Sequence, residues 1–329
     1  MSTVLLILLL LISALLLTLL FVLETSFTVY VGFAAVFVLL FFVILKLVDS
    51  YKINKRKIIF SSFNKIEELG CFIETKPRFY PGNKKVERSV LLIHGFSASV
   101  NEFSLLTERL IKENIPFYAP MLTGFGLDDY NLLKKIRVKD WLRDVVHGYE
   151  FLSGFSDKVS IIGHSMGGLL ALYIAATREI DKLIITAPYL VHNSSHSFMK
   201  HLLRFKHVKD FFLSINPVIN KFSRDHYNKL YKSSDKQNHR FAIPTFPLSS
   251  VAALWELQDI VDYKKLTSTK PLVLTGRKDN TITSSTIHNL LNKYSIPYSS
   301  IEFSDSGHNL LEDKEKDSVI EVILKELKR

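Results

Sequence analysis

The chain has 329 residues, 47% of them hydrophobic, enough for one large domain with appendages and an ample core. Its single cysteine, Cys71, excludes an intrachain disulfide, so nothing calls for an oxidising compartment. The net charge of +10 invites a nucleic-acid partner, but Gly-rich phosphate loops, zinc-type Cys/His spacings and aromatic RNA-binding signatures are all missing, which argues against one.

The apolar residues are concentrated at the start. Val4–Leu23 and Phe27–Leu45 contain no charged residue and are separated only by Glu24, Thr25 and Ser26. Read as one helix, this stretch would run on the order of 65 Å, about twice the hydrocarbon thickness of a bilayer. Two transmembrane helices, about 4–23 and 27–48, fit better and make residues 1–49 a hairpin. A cleaved signal peptide would need a positive n-region, which Met1-Ser2-Thr3 lacks, and a shorter apolar block. The hairpin loop holds no basic residue, whereas Lys46, Lys52, Lys55, Arg56 and Lys57 follow the second span. Both ends are therefore expected to face the cytoplasm, with those cations drawn to anionic membrane lipids.

Residues 50–83 mix charges with short apolar runs and end in Pro77, Pro81 and Gly82, which reads as a linker into a domain spanning 84–329. Ser89–Phe96 is the first confident buried strand, because a continuous apolar run suits a parallel sheet covered on both faces. A helix follows at 102–112, a short strand at 115–120 and a loop at 122–128. Residues 139–152 form an amphipathic helix, with Trp141, Val145 and Tyr149 on one face. Val159–Gly163 is the next strand, and Leu169–Thr177 the helix after it. Strands follow at 182–187, 271–276 and 298–303, with a terminal helix at 317–327. This alternation specifies an α/β architecture with an open, mostly parallel sheet and right-handed crossovers.

Some eighty residues separate the strands at 182–187 and 271–276, far more than a crossover needs. The excess, about 189–255, is expected to be a small helical lid insertion above the carboxyl edge of the sheet. It carries ten Lys or Arg against three Asp, with six of the eleven histidines. No two of those histidines have carboxylate or thiolate support at a metal-binding spacing, so no metal is expected there.

Gly163-His164-Ser165-Met166-Gly167 interrupts a strand and opens a helix. A serine on such a sharp turn is lifted off the sheet edge, which makes Ser165 the candidate nucleophile. A serine hydroxyl needs an adjacent base and a group to orient that base. In an open α/β sheet those partners come from loops at the carboxyl ends of neighbouring strands. Asp279 lies three residues past the strand ending at Gly276, and His308 follows the strand ending at Phe303. Asp305 is a rival acid, better placed to shape the loop of His308. His164 adjoins the nucleophile and is expected to point away from it, while His94 sits at a strand end with a structural or oxyanion-loop role. Two backbone donors are needed for the tetrahedral oxyanion: Met166 N–H, directly after the nucleophile, and Phe96 N–H in the loop His94-Gly95-Phe96.

His94-Gly-Phe-Ser, Gly163-His-Ser-Met-Gly-Gly168, Gly276-Arg-Lys-Asp279 and Asp305-Ser-Gly-His308, with the acidic stretch Glu312–Asp317 after it, resemble the bacterial carboxylesterases and monoacylglycerol lipases of the α/β-hydrolase superfamily. The similarity runs from about Ser89 to the C-terminus. It implies a triad of Ser165, Asp279 and His308, an oxyanion hole of Phe96 and Met166, a lid over an acyl pocket, and ester hydrolysis without a cofactor. With the hairpin added, it implies an integral protein of a bacterial inner membrane with a cytoplasmic catalytic domain and a small acyl ester or lipid as substrate. A thioesterase or acyltransferase on the same residues is one alternative; a catalytically silent hydrolase fold serving as a membrane scaffold is another. No feature specifies an oligomeric state.

Overall fold

The computed structural model describes residues 27–60, 65–66, 71–83, 87–126, 129–191, 205–220 and 241–329. The chain divides into two compact units, Met1–Asn54 and Lys55–Arg329. Helix α1, Phe27–Phe60, is the first described element. Val31, Phe37, Leu39 and Phe41 lie exposed along its uncharged part, an unusually apolar surface to leave facing water. Among the described residues it is the one helix long and apolar enough to cross a membrane, over Val31–Lys57. It coincides with the second expected span, 27–48. The first expected span, 4–23, lies outside the described residues, so one candidate membrane helix stands here rather than two.

The stretch expected as a linker, 50–83, does more than connect. Helix α1 runs through it to Phe60. Strands β1 (Lys65–Ile66) and β2 (Cys71–Phe72) then pair antiparallel. Strand β3, Arg78–Tyr80, joins the central sheet as an edge strand. Three residues with partly exposed side chains carry too little periodicity to be read as a strand.

The rest of the sheet comprises β4 (Arg88–Ile93), β5 (Phe117–Ala119), β6 (Lys158–His164), β7 (Leu183–Thr186), β10 (Leu272–Gly276) and β11 (Ser299–Phe303). Two further short strands, β8 (Val218–Asn220) and β9 (Thr245–Pro247), pair antiparallel apart from it. The seven-stranded order is β11-β10-β7-β6-β4-β5-β3. Every neighbouring pair is parallel except β3 with β5. The chain steps from β4 to β5 on one side and then returns to lay β6 on the other. That reversal opens a crevice beyond the carboxyl ends of β4 and β6, where open α/β sheets take their ligands.

The apolar runs that predicted these strands are buried on both faces. Val90 and Leu92 pack with Phe103, Leu106 and Leu110 of helix α2 (Ser104–Lys112) and with Val319, Ile323 and Leu327 of the C-terminal helix. That helix spans Lys316–Leu327. On the other face lies the helix Val138–Ser153, which buries Trp141, Val145, Gly148 and Leu152. Its start is fixed where Arg137 N–H donates to the Asp140 carboxylate at 2.9 Å, a capping arrangement one residue earlier than the apolar pattern suggested. The helix after β6, Met166–Thr177, is buried on most sides. A Cβ on Gly167 would lie 1.9 Å from the Ile93 carbonyl oxygen, so glycine is what lets this helix close onto β4.

Between β7 and β10 the described elements are a helix at Lys206–Ile215, strands β8 and β9, a helix at Leu248–Ile260 and a 3-10 turn at Tyr263–Leu266. The helix Leu248–Ile260 begins inside the range expected for a lid, 189–255, and runs past its end. Its Leu248 and Trp255 pack against Phe212 and Leu213. Ser249 and Ser250 donate to the carbonyls of Lys134 and Leu133, which ties this helix to the body of the domain. The helix at Ser284–Lys293, between β10 and β11, was not foreseen.

Candidate active site

Four residues singled out from the sequence lie beyond the carboxyl ends of parallel strands. Phe96 follows β4, Ser165 follows β6, Asp279 follows β10 and His308 follows β11. In the sheet, β4 is directly beside β6 and β10 beside β11, with β7 between the two pairs, so residues up to 212 positions apart in sequence share one rim.

Ser165 takes φ 53° and ψ −113°, outside the regions an L-residue favours. Its strain is held from both sides: its own N–H donates to the Thr186 carbonyl at 2.9 Å, and its carbonyl accepts from Gly168 N–H at 3.0 Å. The hydroxyl lies 2.9 Å from His308 Nε2. His308 Nδ1 lies 2.8 Å from Asp279 Oδ2. A carboxylate can only accept there, so Nδ1 carries the proton and Nε2 remains an acceptor for the serine hydroxyl. Asp279 is fixed in turn by the N–H groups of Thr281 and Ile282, which donate to Oδ1 at 2.7 and 3.0 Å. Its side chain is 2% exposed, whereas that of His308 is 18% exposed. The carboxylate is sealed and the imidazole is reachable.

The loops of Asp279 and His308 are packed tightly together. A Cβ on Gly276 would meet the Gly307 carbonyl oxygen at 2.3 Å, and Lys278 N–H donates to the Ser306 carbonyl at 3.0 Å. The acidic stretch after His308 curls back to hold its loop. Glu315 Oε2 accepts from Asp305 N–H and from the Ser306 hydroxyl, both at 2.8 Å, and Asp313 accepts from Gly307 N–H at 2.7 Å. Sequence reading noted this stretch without assigning those tasks. Asp305 pairs its side chain with Lys278 at 2.7 Å on the surface, which puts it in the loop and not on the imidazole.

The rival histidines have other partners. His94 is fully buried; its Nε2 accepts from Leu122 N–H at 3.2 Å, so Nδ1 carries the proton to the Gly95 carbonyl at 3.0 Å. Burial pushes its pKa down to about 4, which keeps it neutral. His164 Nδ1 lies 3.0 Å from the Thr186 hydroxyl, and its ring packs 5.2 Å from that of His308. The residue lies under the neighbouring loop as well as beside the nucleophile.

Two backbone donors in this crevice are already engaged. Gly95 N–H donates to Glu102 Oε1 at 2.8 Å and Ser165 N–H to the Thr186 carbonyl at 2.9 Å; Phe96 and Met166, the expected oxyanion donors, follow directly after them in the two loops. Glu102, buried seven residues after Gly95, is a supporting residue that sequence reading missed, since a lone glutamate in a helical pattern carries no such signal. Beneath Phe96 lies an aromatic cluster. Its ring is 4.4 Å from Phe246, 5.4 Å from Phe125 and 6.1 Å from Trp141. Among the described residues no three His, Cys, Asp or Glu are grouped to hold a metal ion.

Residues 84–315 match the family described as Hydrolase_4, serine aminopeptidase S33. A carboxylesterase of Bacillus subtilis is 23% identical over 251 residues, which cover 75% of this chain and 94% of that protein. A thermostable monoacylglycerol lipase of a Bacillus species is 34% identical over 97 residues, 30% of this chain and 38% of the lipase. Among solved structures, one from the metagenome-derived lipolytic enzymes LipS and LipT superposes with a TM-score of 0.64 at 19% identity, covering 78% of this chain and 98% of its own.

Proposed function

Starting from a chain that belongs to the Hydrolase_4 family of serine hydrolases, with the α/β-hydrolase fold and carboxylesterase and monoacylglycerol lipase relatives, we propose that it cleaves carboxylic esters through an acyl-enzyme intermediate. The observation that carries this reading is the continuous relay from the Ser165 hydroxyl to His308 to Asp279, at 2.9 and 2.8 Å. His308 Nε2 takes the hydroxyl proton as Ser165 Oγ attacks the ester carbonyl carbon. Asp279 holds the imidazole in the tautomer this requires and stabilises the imidazolium that forms. The N–H groups of Phe96 and Met166 receive the negative oxygen, with the N-terminal end of the helix at Met166 adding its dipole. His308 then protonates the leaving alcohol. Water, deprotonated by the same histidine, releases the acid and restores the serine.

The substrate we assign is an ester with an apolar acyl group, such as a monoacylglycerol, a lysophospholipid or a short to medium acyl ester. The aromatic cluster of Phe96, Phe125 and Phe246 beside the proposed oxyanion donors supports an apolar acyl group, as does the likeness to a monoacylglycerol lipase. We assign α1 as a membrane anchor, half of a hairpin with residues 4–23, and the segment about 189–255 as a lid. An anchored enzyme with a lid suits a lipid drawn from the plane of the bilayer.

The test uses the full chain in detergent, as wild type and Ser165→Ala, with a fluorophosphonate probe and a graded panel of p-nitrophenyl esters and monoacylglycerols. Labelling and turnover with an acyl-length optimum, both abolished in Ser165→Ala, are the expected result. No labelling, or labelling unchanged in the variant, would favour a silent scaffold.

A further inference from the structure

Arg56 stands in the middle of the basic run Lys55-Arg56-Lys57 near the end of α1, where a solvated or lipid-facing cation is the ordinary expectation. Instead it is 1% exposed, within the unit that begins at Lys55. Burying a guanidinium is costly unless it is well paired, so its surroundings should have a purpose that a surface cation would not serve. Arg56 Nη1 donates to the Thr245 carbonyl at 3.1 Å. The guanidinium lies 4.5 Å from the centroid of the Phe60 ring and 5.7 Å from that of Tyr130. Phe60 in turn stacks on Phe241 at 5.6 Å and meets Phe72 at 5.0 Å.

What Arg56 holds leads directly to the crevice. Residues 241–247 are all buried and run between the end of α1 and the loop after β4. Ile243 N–H donates to the Ser97 carbonyl at 2.7 Å, and the Phe246 ring lies 4.4 Å from that of Phe96. Ser97 itself has φ 71°, so the peptide just after Phe96 is held in a conformation that needs support from its neighbours. We propose that Arg56 is a positioning residue for the hydrolytic site: through the 241–247 segment it fixes the loop whose Phe96 N–H is assigned above as an oxyanion donor. The inference rests on that assignment. It makes the end of the membrane-side helix part of the catalytic apparatus, a feature that the residue-84 start of the family match leaves out.

Oxyanion donors act only when their distance to the developing charge is right, and a single misaligned donor costs a large factor in the rate of the chemical step. The test compares the full chain in detergent as wild type, Arg56→Met, Arg56→Lys and, as a control, the exposed neighbour Lys57→Ala. Arg56→Met is expected to lower kcat on a short p-nitrophenyl ester about tenfold with KM within about twofold, and to weaken a boronic-acid transition-state analogue by a similar factor. Arg56→Lys keeps a charge and a donor and should recover part of the loss; Lys57→Ala should match wild type. A folded Arg56→Met with kcat within about twofold of wild type overturns the inference, as does a loss that merely tracks the folded fraction. Should Arg56→Met not fold, Phe60→Leu removes the ring under the guanidinium instead, and unchanged kcat there has the same force. A wild-type chain no more active than Ser165→Ala would remove the functional reading itself, and this inference with it.

Discussion

The loops after β4 and β11 carry the same two residue types in opposite order, His94-Gly95 and Gly307-His308, at the same edge of one sheet. In the first, the imidazole is wedged between the Leu122 N–H and the Gly95 carbonyl, without solvent, and its pKa falls to about 4. In the second, it bridges a buried carboxylate and a serine hydroxyl, with 18% of its surface exposed. Being a histidine at a strand end is therefore not what makes a base. The partners decide: two backbone groups fix a tautomer permanently, whereas a carboxylate on one side and a hydroxyl on the other allow a proton to arrive and leave.

The sharpest way to break this comparison is to remove the imidazole that faces the serine. His308→Gln should lower kcat on a p-nitrophenyl ester by roughly 10⁶, with thermal unfolding little changed, as in serine hydrolases where the triad acts as a unit. Turnover close to wild type would mean that another base serves Ser165. Substituting the other histidine should leave the chemistry and strike stability. His94 is held below its unfolded value near 6.5, so the stability it lends is fully present above that pH and is lost as pH falls toward about 4. Urea unfolding at pH 7 and pH 4 should show wild type losing on the order of 3 kcal/mol more than His94→Asn over that interval. Equal losses would show that His94 does not titrate as its surroundings imply. The smallest expected effect concerns the second loop's supports. Glu315→Gln keeps one acceptor for Asp305 N–H and the Ser306 hydroxyl but loses the charge; about 1 kcal/mol of stability and a few-fold in kcat should go with it. A kcat that does not move would show that the His308 loop keeps its place without the carboxylate.

Much of this was legible because parallel strands buried on both faces leave continuous apolar runs, as at Ser89–Ile93 and Val159–Ile162, and the chemistry follows where those runs stop. That rule, with the Gly163-His164-Ser165-Met166-Gly167 turn, pointed to Ser165, Asp279 and His308 as candidates, and the structure brings His308 within hydrogen-bond distance of both other side chains. What escaped has physical reasons too. Strand β3 is three residues long at the sheet edge, and its one antiparallel partner, β5, lies almost forty residues later. Arg56 looked like one more juxtamembrane cation because its acceptor, the Thr245 carbonyl, lies 189 positions away. The helix Ser284–Lys293 buries only Ile287 and Leu291, too narrow a stripe to stand out from its Ser, Thr and Asn neighbours.

Strand β3 also bears on where this protein tolerates being cut. It pairs with β5 through Arg78↔Ala119, Phe79↔Tyr118 and Tyr80↔Phe117. A fragment starting at Lys84, where the family match begins, would strip that cover and expose the unsatisfied amides and carbonyls of β5. Such a fragment would be prone to stick to itself edge to edge, whatever becomes of the greasy N-terminus.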